Sequence, residues 1–384
     1  MSAGAWELTC LGILWYVYVG YPLACWLLGR WRPRPWRVDP TATPRVSILI
    51  AAHDEAACIG ETVRNKLALD YPADRLEVIV VSDGSTDATD AIVADIAAAA
   101  PPGRVRLLRQ EKRAGKTAAL NRAAGEAAGE VLVFSDANSL YAPDALRHLV
   151  APLVDPAVGY VTGRMLYRAE DGSLSGEGCS AYMRYENRLR ALESRFGSVV
   201  GVDGGIDAVR HSLYRPMHPD LQPDFVLPMA VVADGYRVVY AENARLYEDA
   251  LAETGREFRM RVRVILRAWH AMWHMRGLLW PGRSGLYAWQ LLSHKVLRYL
   301  APLFLLGMLS AGVAAAPGGP FWRLLLAGQG AFYLAGLAGL VWPRLARHRW
   351  LLVPSYFTLI NAAALVALVQ FLAGRRQVTW QPRT

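Results

Sequence analysis

Three short apolar runs each give way to acids. Val46–Ala52 is followed by His53-Asp54-Glu55, Leu76–Ser82 by Asp83-Gly84-Ser85-Thr86-Asp87, and Glu130–Ser135 by Asp136-Ala137-Asn138. Apolar runs of this length, separated by helical stretches, predict buried strands of a parallel sheet. Ligands of open α/β sheets sit beyond the carboxyl ends of the strands, so the acids are expected to converge on one crevice. A crevice lined with carboxylates suits a divalent cation and, through it, a diphosphate.

Each motif alone also has an ordinary structural reading. Asp-Gly is a common turn, and Ser, Thr or Asp before a helix is a usual cap. Gly115-Lys116-Thr117 resembles the end of a nucleotide-triphosphatase loop, but that loop needs a glycine at position 110, which is Gln110. No GxGxxG follows the first strand, which speaks against a dinucleotide oxidoreductase. Asp136 and Asn138, two apart at a strand end, can both face a cation; the alternative is a cap ahead of Pro143. Gly201-Val202-Asp203-Gly204-Gly205 either lets backbone approach a ligand or makes a tight turn. His211, His218, His270, His274 and His294 lack zinc-ligand spacing. The four cysteines, Cys10, Cys25, Cys58 and Cys179, are scattered and read as packing residues.

The elements that must hold these residues follow from the chain's patterning. Residues 45–165 alternate strand and helix: strands at 46–52, 76–82, 104–108 and 130–135, with helices near 56–68, 87–99 and 115–127. That order predicts an α/β fold, a doubly wound Rossmann-like half with a mostly parallel sheet. The chain is 53% hydrophobic, with a mean hydropathy of +0.17, and the excess is concentrated. Leu8–Gly29, Tyr299–Trp322, Leu324–Pro343 and Leu351–Gly374 contain no Asp, Glu, Lys or Arg. Runs of about 20 residues at ~1.5 Å per residue span the ~30 Å of a bilayer's hydrocarbon.

The first run lacks the basic start and cleavage site of a signal peptide. The basic cluster Arg30-Trp31-Arg32-Pro33-Arg34 after it places the following domain in the cytosol. Arg344, Arg347 and Arg349 also fit that side, whereas three further crossings would put Arg375 and Arg376 outside. Either the last segment is re-entrant or the charge rule loses. The formal net charge of +9 fits attraction to anionic lipid heads better than nucleic-acid binding, since the basic residues cluster beside the apolar spans. Two later stretches look amphipathic. Tyr182, Tyr185, Leu189, Leu192 and Phe196 recur at helical spacing in 179–196. Arg259, Arg263 and Arg267 line one face of 257–280 and Val262, Leu266, Trp269 and Trp273 another, the pattern of a helix in a membrane interface.

The full ordered set is more specific than its parts. Residues 46–240 resemble the catalytic domain of family 2 glycosyltransferases, which adopt the metal-dependent nucleotide-sugar fold called GT-A. The matching segments are Ala52-His53-Asp54-Glu55, Asp83-Gly84-Ser85-Thr86-Asp87, Lys116 with Asn121, Asp136-Ala137-Asn138 for the Asp-x-Asp motif, and Pro223-Asp224 for the end of a Thr-Glu-Asp motif, followed by Gly235-Tyr236-Arg237. With its apolar flanks, the whole chain looks like the membrane-bound branch that includes cellulose, chitin, hyaluronan and poly-N-acetylglucosamine synthases. Two departures stand out. Pro223 replaces an acid, and the Gln-x-x-Arg-Trp signature of processive synthases is absent; Arg263, Arg267 and Trp269 are the nearest residues, with Ala268 inserted between arginine and tryptophan. One inserted residue turns the indole about 100° around a helix.

The resemblance implies a UDP-sugar donor. Ala52, Asp54, Glu55, Asp83, Lys116, Asp136, Gly204 and Gly205 would contact it. Asp136 with Asn138 would hold Mg²⁺ or Mn²⁺, and Asp224 would act as general base in an inverting transfer. Arg263, Arg267 and Trp269 would face the acceptor. The implied organisation is a transmembrane helix at 1–29, a basic Pro-rich linker at 30–44, and the GT-A domain at 45–250. Interface helices at 251–294, C-terminal transmembrane helices at 295–374 and a tail at 375–384 complete it, in a multi-pass protein of the inner or plasma membrane with a cytosolic catalytic domain. The acceptor would be a glycan, as in extracellular or capsular polysaccharide synthesis, or a lipid-linked molecule receiving a single sugar. Membrane lipids, and export or assembly proteins, are the other expected partners. A non-catalytic nucleotide-sugar-binding subunit of an export complex is the reading from another class.

Overall fold

The computed structural model describes residues 2–168, 174–249, 254–342 and 348–377. Arg344 and Arg347, on which part of the charge argument rests, lie outside the described residues. The centre of the molecule is an eight-stranded sheet in the order β3-β2-β1-β4-β7-β6-β8-β5. β1 (Val46–Ala52), β2 (Leu76–Asp83), β3 (Val105–Gln110) and β4 (Val131–Asp136) form its parallel half. The remaining strands are β5 (Leu140–Tyr141), β6 (Val158–Arg168), β7 (Asp207–Arg210) and β8 (Arg237–Asp249). β7 runs antiparallel between β4 and β6, while β6 and β8 are parallel. β1 has neighbours on both sides and every residue buried, which is why its sequence is continuously apolar rather than alternating.

The helices in sequence are α1 (Ala3–Trp31), α2 (Ile59–Leu67), α3 (Thr89–Ala99), α4 (Lys116–Glu126), α5 (Ala145–Val150), α6 (Leu174–Ser194), α7 (Pro223–Ala233), α8 (Thr254–His274), α9 (Leu286–Leu291), α10 (Ala301–Ala315), α11 (Pro320–Val341) and α12 (Arg349–Leu372). The strand ends predicted from sequence therefore fall within one or two residues of the observed ones. Chain order reverses between β1 and β4, and that is where an open α/β sheet presents its crevice. This is a GT-A architecture with a mostly parallel sheet, flanked by apolar helices. Among the described residues, four helices are long and apolar enough to cross a membrane: Ala3–Trp31, Ala301–Gly318, Pro320–Val341 and Trp350–Leu372.

Buried charge ties the first apolar helix to the sheet domain. Tyr21 of α1 donates to Glu193 Oε1 on α6 at 2.6 Å. His294, just beyond α9, lies 2.7 Å from the same carboxylate and 3.3 Å from Glu186, which also pairs with Arg298. A buried ion removed from such a cluster leaves its partner uncompensated, so the arrangement fixes α1, α6 and α9 in one register.

Candidate active site

One cavity of about 240 Å³ opens at the carboxyl ends of β1 and β4 and runs toward α6 and α8. At its sheet end lie Glu55, Lys116, Asp136, Asn138 and Asp224. Asp136 is the last residue of β4, in register with Ala51 of β1, so the strand itself delivers the carboxylate to the crevice. Lys116 opens α4, and its ammonium lies 2.5 Å from Asp136 Oδ1. Asn138 follows two residues later on the same rim.

Asp83 contributes differently. It is fully buried and absent from the lining of this cavity. Its two carboxylate oxygens accept the backbone N–H groups of Ala114 (2.6 Å) and Gly115 (2.9 Å). Gly115 stands at φ +94°, a conformation open to glycine, immediately before Lys116. Asp83 thus sets the turn that aims Lys116. Ala52 is buried in the sheet core, and its neighbour Ala51 lines the cavity instead. Asp54, at φ +52°, is committed to the β2 loop: its Oδ1 accepts the Thr86 N–H at 2.7 Å. That hydrogen bond holds its carboxyl below the ordinary range.

Asp224 sits in the first turn of α7, where the helix dipole favours a carboxylate. Pro223, the apparent departure from an acidic motif, occupies the first helical position, which has no need of an N–H. Gln222 Nε2 donates to Asp224 Oδ2 at 3.2 Å. On the other side lies Gly204, at φ +91°, where an added Cβ would stand 2.5 Å from Asp224 Oδ2. The Gly204 N–H in turn donates to Asp207 Oδ2 at 2.9 Å, and Tyr160 donates to the same atom at 2.8 Å. Burial, with the nearby charge of Asp224, pushes Asp207 up to about 6. Asp203, buried against Arg190 at 3.1 Å, is pushed by burial up to about 7. Gly205 packs against Ser139, Leu246 and Glu248 and does not reach the cavity lining.

The other end of the cavity is built by helices. Tyr182, Glu186 and Arg190 of α6 line it at intervals of four residues, together with Arg263 and Arg267 of α8 and with Tyr299. Of the apolar stripe read from the spacing in 179–196, only Tyr182 lines the cavity; Glu186 and Arg190 stand on a neighbouring face. Arg267 is buried and donates to the Leu221 carbonyl at 2.7 Å and to Thr117 Oγ1 at 3.2 Å, bracing the segment before Asp224. Asn121 braces the same segment, accepting from Tyr214 and Met217. Trp269 faces away. Its indole stacks on Phe371 of α12 with centroids 5.7 Å apart.

No set of three or more His, Cys, Asp or Glu side chains gathers for a metal among the described residues. Asp136 and Asn138 nevertheless fit Mg²⁺ or Mn²⁺ held in part by its ligand, since such ions take few protein oxygens and complete their shell with phosphate and water. Lys116 shows that the Asp136 carboxylate already accepts a cation at this place.

A family profile described as "Glycosyl transferase family 2" matches residues 47–215, the span that carries β1 to β4, Lys116 and Asp136. Over that segment this chain is similar to glycosyl transferase family 2. Among the curated relatives is the beta-monoglucosyldiacylglycerol synthase of Synechocystis sp., 31% identical over 44% of this chain and 33% of that protein. An N-acetylglucosaminyltransferase of Rhizobium leguminosarum bv. viciae is 28% identical over 54% of this chain and 51% of its own. The chain thus spans about a third to a half of the curated relatives it matches. A solved structure, the mannosyltransferase PcManGT of Pyrobaculum calidifontis in complex with GDP-Man and Mn²⁺, is 26% identical. It has a TM-score of 0.75 and covers 96% of this chain and 99% of that one.

Proposed function

We propose that the protein moves a sugar from a nucleoside diphosphate to an acceptor delivered at the membrane surface, with inversion, and with Asp224 as the base. The observation that carries this reading is the shared cavity: Lys116, Asp136 and Asn138 stand at the same opening as Asp224. The first three residues would hold a diphosphate and its cation. A divalent ion, when bound, neutralises charge on the departing diphosphate. Asp224 takes the proton of the acceptor hydroxyl as that oxygen bonds to the anomeric carbon and the bond from that carbon to phosphate breaks. One base and one leaving group on opposite faces describe a single displacement. A UDP-sugar is the expected donor, and a GDP-sugar is the second to test, because the structural relative is in complex with GDP-Man.

The position of Trp269 favours single addition over processive synthesis. An aromatic platform under the acceptor would suit a sliding glycan, but this indole is taken up by Phe371. The apolar helices beside the cavity's far end suit an acceptor carried by a lipid. The proposed organisation is therefore a cytosolic GT-A domain whose acceptor end is formed by helices at the inner or plasma membrane.

The decisive test is Asp224→Asn in purified membranes, with radiolabelled donor and product sizing. Transfer should fall by about 10²–10⁴-fold, the range for loss of a positioned base, while nucleotide binding by calorimetry is kept. Undiminished turnover would exclude Asp224 as the base. Products longer by one sugar only would support single addition; a ladder would support polymerisation.

A further inference from the structure

We infer that α12 is a strap lying along α8 on the catalytic-domain side of the membrane, not a fourth crossing, and that its outward face meets lipid of that leaflet. The inference rests on the reading that α1, α10 and α11 cross the bilayer, and it adds what that reading leaves open, the side on which the chain emerges.

The three other apolar helices form an antiparallel set. Glu7 of α1 faces Gly312 of α10, and Cys10 faces Gly307, so one helix ascends as the other descends. Trp322, at the start of α11, packs on Gly4 at the start of α1. The other end of α1 reaches the sheet domain, where Gly29 meets Arg195 and the Arg34 N–H donates to the Arg195 carbonyl. The Gly4 and Trp322 end is therefore the end remote from the domain.

α12 follows a different course. Near its start, Tyr356 donates to Glu257 Oε1 at 2.7 Å and accepts from Arg261 at 2.9 Å, both on α8. Midway, Ala363, Ala364 and Ala367 pack with Val262, Ile265 and Leu266. At its end, Phe371 stacks on Trp269. Beyond it, the Arg375 carbonyl lies 2.8 Å from His270 Nε2 and Arg376 pairs with Asp220 at 2.5 Å. From Tyr356 onward, contacts advance in step along both helices. α8 is itself part of the catalytic core: Ala268, Ala271 and Met272 pack with Phe225 and Leu227, and Arg267 braces the segment before Asp224. α12 starts against the end of α11, where Pro354 and Thr358 meet Gly336, and from Tyr356 onward it follows α8 to Asp220, so both its ends lie on the domain's side.

Length does not decide the matter, since 24 residues at ~1.5 Å each would suffice to cross; the contacts at both ends of α12 do. Half of its apolar window is covered by protein, against 17% to 33% for the other three helices. What stays outward is apolar, with Val353 62%, Val369 58% and Leu372 75% exposed. Continuity with the spanning helices names lipid as what covers that face. The placement also removes the conflict with the positive-inside rule, since Arg375 and Arg376 then join Arg30, Arg32 and Arg34 on one side.

Single cysteines introduced into a cysteine-free chain, Arg375→Cys, Pro102→Cys in the sheet domain and Pro317→Cys at the remote hairpin, would be labelled with an impermeant maleimide in sealed vesicles of known orientation. Arg375→Cys should label alongside Pro102→Cys, at least tenfold faster than Pro317→Cys in inverted vesicles. Labelling of Arg375→Cys with Pro317→Cys would overturn the strap. If the cysteine-free chain does not fold, protease access to an epitope fused after Thr384 of the natural chain reads the same side, with the same two outcomes. A nitroxide at Val369→Cys should collide more often with oxygen than with a water-soluble nickel chelate; the reverse would remove the lipid contact. None of these readouts depends on donor, acceptor or turnover, so the strap and the proposed transfer can fail separately.

Discussion

The two ends of the cavity are made in different ways. At the sheet end, the functional side chains stand at or within three residues of a strand's end or a helix's start, where backbone hydrogen bonding sets their position. Asp136 closes β4, Lys116 opens α4, and the buried Asp83 carboxylate pins the turn between β3 and α4. At the helix end, side chains project from the middles of α6 and α8, and their direction depends on what those helices pack against. The contrast predicts that changes at the sheet end act on the donor and the chemistry. Changes at the helix end should act on the acceptor, and more weakly.

The largest separation should come from Asp136→Ala. The metal-dependent part of nucleotide binding should be lost, with transfer reduced about a hundredfold or more, as expected where a cation contributes several kcal/mol. Calorimetry with UDP and with GDP, with and without Mn²⁺, measures it. Binding unchanged by the substitution would move the cation away from β4.

Gly204→Ala probes the same end through the backbone. The added methyl meets Asp224 Oδ2 at 2.5 Å, in a left-handed conformation that costs other residues about 1–2 kcal/mol. Displacing the base by about 1 Å can cost on the order of a hundredfold. The expected result is a fall in kcat with nucleotide affinity kept. A loss confined to nucleotide affinity would place Gly204 on the donor and not behind the base.

These two ends differ also in how much of them can be read from sequence. The strand-end acids were legible because a strand's ending and its last side chain are a local matter. Even so, the sequence could not distinguish Asp136, which reaches the cavity, from Asp83, which turns into the loop behind it. That distinction depends on where Ala114 and Gly115 present their N–H groups, more than 30 residues away. The parallel half of the sheet followed from the alternating strand and helix order, and the GT-A fold from the family resemblance. At the helix end, 179–196 and 257–280 were legible as amphipathic helices, but not the sides they turn to the cavity. Glu186 and Arg190 are illegible as lining residues because polar spacing looks the same toward a cavity as toward water, and Tyr182 because an apolar stripe reads as core. The fourth apolar run was legible as long enough to cross and illegible as a strap, since only α8 beneath it decides the difference.

Between the two ends lie the buried acids Asp203 and Asp207, and they couple the site to pH. Both are raised, to about 7 and about 6, above the ordinary carboxyl value of roughly 4. The folded state therefore keeps protons that the unfolded chain has already released. Their contribution is fully favourable below about pH 4 and declines as pH rises through 6 and 7. For Asp207 the loss is on the order of 3 kcal/mol. Thermal melting in detergent should show Tm falling from pH 4 to 8 on account of these groups, and the fall should be shallower in Asp207→Asn. An equal slope in both proteins would show that Asp207 does not hold its proton on folding.

The smallest effect should come from Trp269, and its size separates the two ends of the cavity most finely. If the indole served as an acceptor platform, Trp269→Ala would raise the acceptor KM steeply and shorten any product ladder. In the structure the ring lies between Tyr299 and Phe371 and joins α8 to α12, so its removal should cost packing. Truncating a well-packed aromatic commonly costs about 3–5 kcal/mol, but this ring is only half-buried, and a lower Tm with acceptor KM within about threefold is expected. Trp269→Phe, which keeps an aromatic surface against Phe371, should recover most of the lost Tm. A platform would respond in the opposite sense, with Tm little changed and acceptor affinity falling in proportion to the stacking surface removed. Measuring both quantities in the two variants therefore assigns the residue to the strap or to the sugar without needing to know which sugar is transferred.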